Sequence, residues 1–129
     1  MGFKALSCVL ILVGLLWMAE AQTVPVASTK WEAPPDAAAI PNPEAKNPDA
    51  PANGHRLFMR LCINCHGEDG SGESPGAANL RSADVQSQSD GALFWKITNG
   101  NTTNGMPSFA GVPEADRWDI VTFLRTLKQ

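Results

Sequence analysis

The stretch "CINCH", residues 62 to 66, places two cysteines and a histidine within five consecutive positions. The whole chain of 129 residues has only three cysteines and two histidines, so thiol and imidazole groups are concentrated at this point. Five residues cannot form a domain by themselves. The motif therefore predicts a fold that is built around whatever these three side chains hold.

A helix is predicted immediately before the motif. Asn53 can cap it, and Leu57, Phe58 and Leu61 recur at helical spacing up to Cys62. The segment "GEDGSGESPGAAN" that follows the motif is predicted to be a loop, because glycine and short polar residues dominate it. Helix one therefore delivers the motif to the start of a loop.

Two further helices are predicted in the C-terminal half. Asp90 can cap "GALFWKITN", which Gly100 ends, and after the irregular segment "NGNTTNGMPSFAG" Pro113 opens the last helix. One apolar stripe runs along that last helix: Ile120, Phe123, Leu124 and Leu127. Since no segment alternates polar and apolar residues over a useful length, the predicted fold class is all-α.

The N-terminus has the pattern of a secretory signal. Lys4 makes a short basic start, a hydrophobic run follows, and Ala19 and Ala21 fit the small-residue pattern of a cleavage site. Residues 1–21 are therefore predicted to be a signal peptide that is cleaved after Ala21, which would place the mature protein in the periplasm. A retained membrane anchor is the alternative, but the run of roughly 15 apolar residues is shorter than the ~20 that span a bilayer.

Residues 22–52 hold seven of the chain's ten prolines and few large apolar residues. This composition predicts an extended, semi-rigid tether with polyproline II character. Trp31 and Ile40 are exceptions, and their side chains could dock on the domain or on a partner. Residues 53–129 form the predicted domain, which is so small that it should need a disulfide, a metal or a prosthetic group to stay folded.

In the exported chain, Cys62 and Cys65 are the only thiols, since Cys8 lies within the signal peptide. A Cys-x-x-Cys-His run in such a chain predicts covalent haem attachment, with thioethers to the two cysteines and His66 as an iron ligand. A thioredoxin-like dithiol is the alternative, but it would require a βαβ context. A zinc site would need four ligands, and only His55 and carboxylates remain to complete one.

A haem iron that carries electrons needs a second axial ligand. Met106 in "NGMPSF" lies forty residues after His66, which leaves enough chain to reach the opposite side of the ring. Met59 lies only three residues before the first cysteine on the same helix, so it is predicted to be a core residue. His55 would give bis-histidine ligation, but it points away along that helix and is predicted to be a surface residue.

Three segments, "GHRLFMRLCINCHG", "GMPSF" and "RWDIVTFLRTL", follow one another over about residues 54–129. In this order of motif, methionine loop and C-terminal helix the chain resembles the single-haem class I c-type cytochromes of the bacterial periplasm. The resemblance implies a small all-α cytochrome c fold, with three main helices and loops wrapped around one covalently bound haem c.

The same resemblance assigns roles to further residues. It implies that Gly54 and Phe58 let the first helix cross closely over the last, and that the backbone carbonyl of Pro75 accepts a hydrogen bond from His66. Trp95 could hold a haem propionate through its indole N–H, or could simply pack in the core. The cofactor-binding residues are then predicted to be Cys62, Cys65, His66, Met106, Pro75 and Trp95, with His66 and Met106 as the metal ligands.

These predictions favour a protein that transfers electrons and is not itself a catalyst. It would be a periplasmic carrier, or the small electron-transfer subunit of a respiratory oxidoreductase that associates with a membrane-bound complex. The alternatives are a haem-based gas sensor or ligand-binding protein with an open iron site, and a structural subunit whose tether docks into a complex. The net charge of −3 and the lack of a Lys/Arg cluster argue against nucleic acid as a partner. Redox proteins are the expected partners.

Overall fold

The computed structural model describes residues 31–128, so the predictions for the signal peptide and for residues 22–30 lie outside it. The described chain is helical, and its only β-type pairing is an isolated bridge between Asn101 and Met106. Its helices are α1 (Pro35–Ala38), α2 (Ala50–Leu61), α3 (Ile63–His66), α4 (Ala83–Gln86), α5 (Asp90–Asn99) and α6 (Glu114–Thr126), with a 3₁₀ turn at Thr102–Asn104. The all-α prediction is confirmed. Within this part of the chain, no helix is long and apolar enough to cross a membrane.

The central packing of the fold is the crossing of α2 over α6. A Cβ atom built on Gly54 would overlap the carbonyl oxygen of Asp119 and would lie 2.8 Å from Cβ of Phe123. Only glycine allows the two helix backbones to approach so closely. Phe58 fills the space beside this contact, with its ring centroid 5.2 Å from that of Phe123. The roles that the resemblance implied for Gly54 and Phe58 agree with this geometry.

The core is built from α2, α5 and α6. Nine buried residues form it: Leu57, Phe58, Leu93, Ile97, Trp118, Ile120, Val121, Phe123 and Leu124. Of the stripe predicted on α6, Leu127 is only half-buried and packs against this cluster. Half-buried apolar residues also surround the cluster on the side of the motif, among them Cys62, Ile63 and Met106. The cysteine motif and the predicted methionine ligand therefore border one continuous core.

Two helices have N-caps that precede the predicted ones, by four residues in α2 and by one residue in α5. Helix α2 starts at Ala50 with Asp49 as its N-cap, and not at Asn53, because Pro51 occupies the first turn, where its missing N–H costs nothing. The N-cap of α5 is Ser89, whose side-chain oxygen accepts from the N–H of Ala92, while Asp90 is the first helical residue. Serine and aspartate cap almost equally well, so adjacent candidates are hard to separate by sequence.

Residues 31–49, the N-terminal strap, pack on the domain and are not a free tether. The strap includes the short helix α1, which lies against α5. A Cβ on Gly91 of α5 would overlap the carbonyl oxygen of Ala37, and the hydroxyl of Ser89 donates to the carbonyl of Ala38 at 2.6 Å. Further along, Asn42 Nδ2 donates to Asp90 Oδ2 at 3.1 Å. The prediction of an extended segment without helix is therefore wrong for residues 31–49.

The prediction of a free tether failed because a proline-rich composition favours certain local backbone conformations but does not determine whether the segment is exposed to solvent or packed on the domain. Gly91 of α5 has no side chain, so the backbone of the strap at Ala37 and Ala38 can lie directly against the helix. Trp31 joins this packing, since its indole N–H donates to the carbonyl oxygen of Gly100 at 2.9 Å. Ile40 remains 47% exposed.

Candidate functional site: the cysteine motif and the methionine hairpin

The motif lies at the junction of two helices. The N–H of Cys62 donates to the carbonyl of Phe58 at 2.9 Å and so ends α2, while its own carbonyl accepts from the N–H of His66 at 3.0 Å and begins α3. This single turn brings Cys62 and Cys65, which are three positions apart, to neighbouring places on one face. Both thiols are free, with Cys62 half-buried and Cys65 exposed. Both sulfur atoms are therefore available to the same bound group.

The chemical state of Cys62 argues against redox catalysis by the thiols. Burial raises the pKa of the Cys62 thiol to about 12, and the neighbouring Cys65 adds to the shift. The attacking cysteine of a redox dithiol has a lowered pKa instead, which makes it a thiolate near neutral pH. The thioredoxin-like alternative is therefore disfavoured by the environment as well as by the all-helical context.

The imidazole of His66 is oriented by a backbone carbonyl. Its Nδ1–H donates to the carbonyl oxygen of Ala78 at 3.0 Å. Because a carbonyl oxygen can only accept, the proton lies on Nδ1, and the lone pair of Nε2 is left to bind a metal. Such a second hydrogen bond also holds the ring in place and makes it a stronger ligand. This is the arrangement that a histidine ligand requires.

The resemblance implied that the carbonyl of Pro75 accepts this hydrogen bond. In the structure the acceptor is the carbonyl of Ala78 instead. The loop folds back on the motif, since the N–H of Ser74 donates to the carbonyl of Cys65 at 3.0 Å. A turn closed by the N–H of Ala77 and the carbonyl of Ser74, at 3.0 Å, then places Pro75 at its exposed corner. The chain reaches the imidazole only after this turn, three residues later.

Met106 lies on a short hairpin, residues 100–109, which we call the methionine hairpin. Both backbone groups of Met106 are bonded to Asn101: its N–H donates to the Asn101 carbonyl at 2.9 Å, and its carbonyl accepts from the Asn101 N–H at 2.8 Å. The N–H of Phe109 donates to the carbonyl of Ile97 at 3.2 Å, which ties the hairpin to α5. The Met106 side chain is half-buried and packs against the core cluster. The hairpin therefore holds this side chain on a constrained backbone.

The loop that follows the motif approaches the methionine hairpin. A Cβ atom built on Gly76 would lie 4.0 Å from the carbonyl oxygen of Asn104 in the hairpin. Although His66 and Met106 are forty residues apart in sequence, they lie on segments that are close in space. The two predicted metal ligands are thus carried by adjacent parts of the fold.

The other candidate ligands lie on α2. His55 is exposed, and its ring centroid is 4.9 Å from that of Phe123 on α6. Met59 is half-buried and packs against the core cluster, as predicted. The position of His55 on the α2–α6 crossing agrees with its predicted place at the surface.

Trp95 is half-buried on α5, so either of its two predicted roles is compatible with its position. Its neighbour Phe94 stacks on the buried ring of Trp118 with the centroids 3.8 Å apart. The propionate contact of Trp95 stays a prediction.

Two contributors to the site were not found by sequence reasoning. Ala78 acts through its carbonyl oxygen, which every residue has, so no sequence signal could identify it. Asn101 pairs with Met106, and the only hint was the run of asparagine and glycine that predicts tight turns in this segment.

The donor set fits a covalently attached haem. Two unpaired thiols stand on one helical turn, the adjacent imidazole has a free Nε2, and a thioether side chain lies on a neighbouring hairpin. Cys62 and Cys65 would form the thioethers, and His66 and Met106 would bind the iron.

Comparison with a family model agrees with this chemistry. The model described as cytochrome C oxidase, cbb3-type, subunit III matches residues 49–124, which is more than half of the chain. No curated protein sequence matches significantly.

Solved structures of c-type cytochromes resemble the fold. The KustC0563 c-type cytochrome superposes with a TM-score of 0.54 at 26% identity, covering 59% of this chain and 98% of that one. Cytochrome CL from the marine methylotrophic bacterium Methylophaga aminisulfidivorans superposes with a TM-score of 0.58 at 22% identity, covering 68% of this chain and 59% of that one. At that identity the second comparison supports the fold alone.

Proposed function

Since this chain belongs to the family of the cbb3-type cytochrome c oxidase subunit III domain and is a single-haem c-type cytochrome, we propose that it carries electrons in the periplasm through an iron ligated by His66 and Met106. It acts as a soluble or loosely tethered carrier, or as the small electron-transfer subunit of a respiratory oxidoreductase. Its donor and acceptor are redox proteins, and one of them belongs to a membrane-bound complex.

The observation that carries the proposal is the pair of constrained ligands. The Nδ1–H of His66 is held by the Ala78 carbonyl, and the backbone of Met106 is held at both its N–H and its carbonyl. Haem c supplies one-electron chemistry when it is bound. The protein's part is to keep the same two side chains on the iron in both oxidation states, so that little has to move when an electron arrives.

The electrostatics of the domain suggest partners that are not strongly charged. Residues 54–129 hold seven Lys/Arg and eight Asp/Glu. With so little excess of one sign, the long-range attraction that speeds the association of oppositely charged proteins is small. Partner recognition then depends on the shape and short-range contacts of the docking surface.

The first test is an optical spectrum of the exported protein in its oxidised and reduced forms, before and after extraction with acidified acetone. Covalent attachment through Cys62 and Cys65 predicts that the pigment stays with the polypeptide. A colourless protein with two free thiols and no added mass would contradict the whole proposal.

The second test concerns Met106. Met106→Leu should abolish the weak sulfur-to-iron absorption band and allow carbon monoxide to bind. It should also lower the reduction potential by on the order of 0.1 V, a fraction of the ~0.8 V that axial ligation spans. Met59→Leu is the matched control, because it removes a half-buried sulfur outside the proposed site. A wild type that lacks the band and already binds carbon monoxide would favour the open-iron alternative, a gas sensor or ligand-binding protein. A band that is unchanged in Met106→Leu would mean that a different sulfur binds the iron, and it would contradict ligation by Met106.

A further inference from the structure

The methionine hairpin begins at a peptide group that is held from outside the hairpin. The carbonyl of Gly100 and the N–H of Asn101 belong to one planar peptide unit, so fixing the direction of one group fixes the other. The N–H of Asn101 donates to the carbonyl of Met106 at 2.8 Å. The Gly100 carbonyl points the opposite way and accepts the indole N–H of Trp31 at 2.9 Å. The hydrogen bond from Trp31 therefore orients the same peptide unit that pairs with Met106.

Gly100 is also a tight pivot. It is buried, its φ is +67°, and a Cβ atom built on it would lie 2.5 Å from the carbonyl carbon of Pro107 and 2.6 Å from the nitrogen of Ser108. The backbone of Gly100 therefore packs directly against Pro107 and Ser108, the residues that follow Met106. A change in this peptide unit is thus transmitted to the backbone of the predicted ligand.

Trp31 is itself held in position. The ammonium group of Lys96 lies 4.8 Å from the centroid of the indole ring, a distance typical of a cation–π contact. Lys96 also donates to Gln88 Oε1 at 2.6 Å, and the strap is anchored further along by Asn42, which donates to Thr122 at 3.0 Å. The indole is therefore a fixed donor and not a loose surface side chain.

We propose that Trp31 is a positioning residue for Met106: the N-terminal strap braces the methionine hairpin so that its sulfur stays on the iron. This inference rests on the proposed ligation by Met106. It gives the strap a role inside the electron-transfer site, so that Trp31 acts within its own chain and not as a docking residue for another subunit.

The test compares Trp31→Phe with the wild type in the full-length haem protein. Phenylalanine keeps an aromatic face for Lys96 but has no N–H for Gly100. We expect the sulfur-to-iron band to be lost more easily than in the wild type. When the pH is raised from neutral, the band should disappear at a lower pH, and on heating it should disappear at a lower temperature. Amide hydrogen exchange at Asn101 and Met106 should be about fivefold faster, the change in equilibrium that the loss of one neutral hydrogen bond produces.

Asn42→Ala is the matched control, because it removes the strap's hydrogen bonds to Asp90 and Thr122, and the one that Asn42 accepts from the N–H of Glu44, and none of these touches the hairpin. It should lower the unfolding midpoint without changing the pH at which the band is lost. If Trp31→Phe leaves both the band and the exchange rates of the hairpin as in the wild type, the bracing role is refuted.

Failure of the proposed ligation would look different. In that case the wild type itself would lack the band, while faster exchange at Asn101 and Met106 in Trp31→Phe would still support bracing of the hairpin. If Asn42→Ala shifts the band as much as Trp31→Phe does, the effect comes from general loosening of the strap, and the specific role of Trp31 is refuted.

Discussion

Gly54 shows how one residue can determine a helix crossing. In an isolated helix, alanine would be more favourable than glycine by about 1 kcal/mol. At this crossing the order is reversed, because a Cβ atom would overlap the carbonyl of Asp119 on α6. The same glycine that weakens α2 locally therefore makes the fold possible.

The first residue-level prediction follows directly. Gly54→Ala should destabilise the protein by at least about 2 kcal/mol, since two backbones would have to move apart. Gly111→Ala is the control, because a Cβ atom there meets nothing within 4 Å. Thermal unfolding followed by circular dichroism would measure both variants. Equal midpoints for the two would show that the close approach of α2 and α6 is not needed.

A second residue-level prediction concerns the buried carboxyl of Asp119. Burial raises its pKa, Asn53 opposes the shift through a hydrogen bond, Glu44 and Asp116 raise the pKa further, and Arg56 lowers it. Because the pKa is higher in the folded state, ionisation opposes folding. The penalty is absent well below the ordinary value of 3.8 and develops as the pH rises from that value through the folded pKa.

Asp119→Asn should therefore be more stable than the wild type at pH 7, and the advantage should disappear as the pH falls below about 4. Unfolding midpoints between pH 3 and pH 8 would test this. A variant that is less stable at pH 7 would mean that the ionised carboxylate makes a stabilising interaction which outweighs its burial.

Among the elements, α5 depends on a residue that has two functions. The hydroxyl oxygen of Ser89 accepts from the N–H of Ala92 at the start of the helix, and the hydroxyl hydrogen is donated to the carbonyl of Ala38 in the strap. This one side chain both caps α5 and attaches the strap to it. The strap therefore contacts α5 near both of its ends: Ala38 accepts from Ser89 at the start, and Trp31 donates to Gly100 at the end, where the methionine hairpin begins.

Ser89→Ala should consequently cost about 1–2 kcal/mol of stability, the sum of a lost cap and a lost hydrogen bond. Ser82→Ala removes the corresponding cap of α4 and a hydrogen bond to the nearby carbonyl of Asn79, but no contact with the strap. Because α4 has only four residues, this variant should cost less. Chemical denaturation would give both values. A larger loss for Ser82→Ala would show that the strap contact at Ser89 contributes nothing.

The whole molecule is small for the number of loops that it orders. Within residues 31–128 the core cluster has nine buried residues, and the segments between α3 and α4 and between α5 and α6 have little regular structure. Domains of this size usually need a covalent or metal staple. The free thiols and the oriented imidazole of the motif are the groups to which such a staple would attach.

The prediction for the whole molecule is that the cofactor is required for the native fold. A Cys62→Ala/Cys65→Ala variant should lose the pigment on extraction and, once colourless, should lose much of its helical circular dichroism at 25 °C. A His55→Ala variant is the control, since that exposed ring lies outside the site. A colourless double variant with wild-type helicity and a wild-type unfolding midpoint would refute the requirement.

The amino-acid sequence alone determined the class of the fold and predicted which residues form the site. Helical periodicity, the Cys-x-x-Cys-His spacing and a methionine in a glycine-rich loop are local patterns, and local patterns can be read one segment at a time. The roles of Gly54 and Phe58 at the helix crossing could also be predicted, because they precede the first cysteine by the same distances as in the class I c-type cytochromes that the chain resembles. The helix starts were displaced because neighbouring residues compete to cap the same end.

The tertiary structure alone decided how distant segments meet. The carbonyl that orients His66 belongs to Ala78, because the turn at Pro75 redirects the loop, and any residue could supply that oxygen. The composition of the N-terminal strap predicts a solvated tether, yet the strap packs on α5. Its Trp31 donates a hydrogen bond to the carbonyl of Gly100, 69 positions away. Backbone acceptors and close backbone contacts carry no side-chain signature, so they become visible only when the chain is folded.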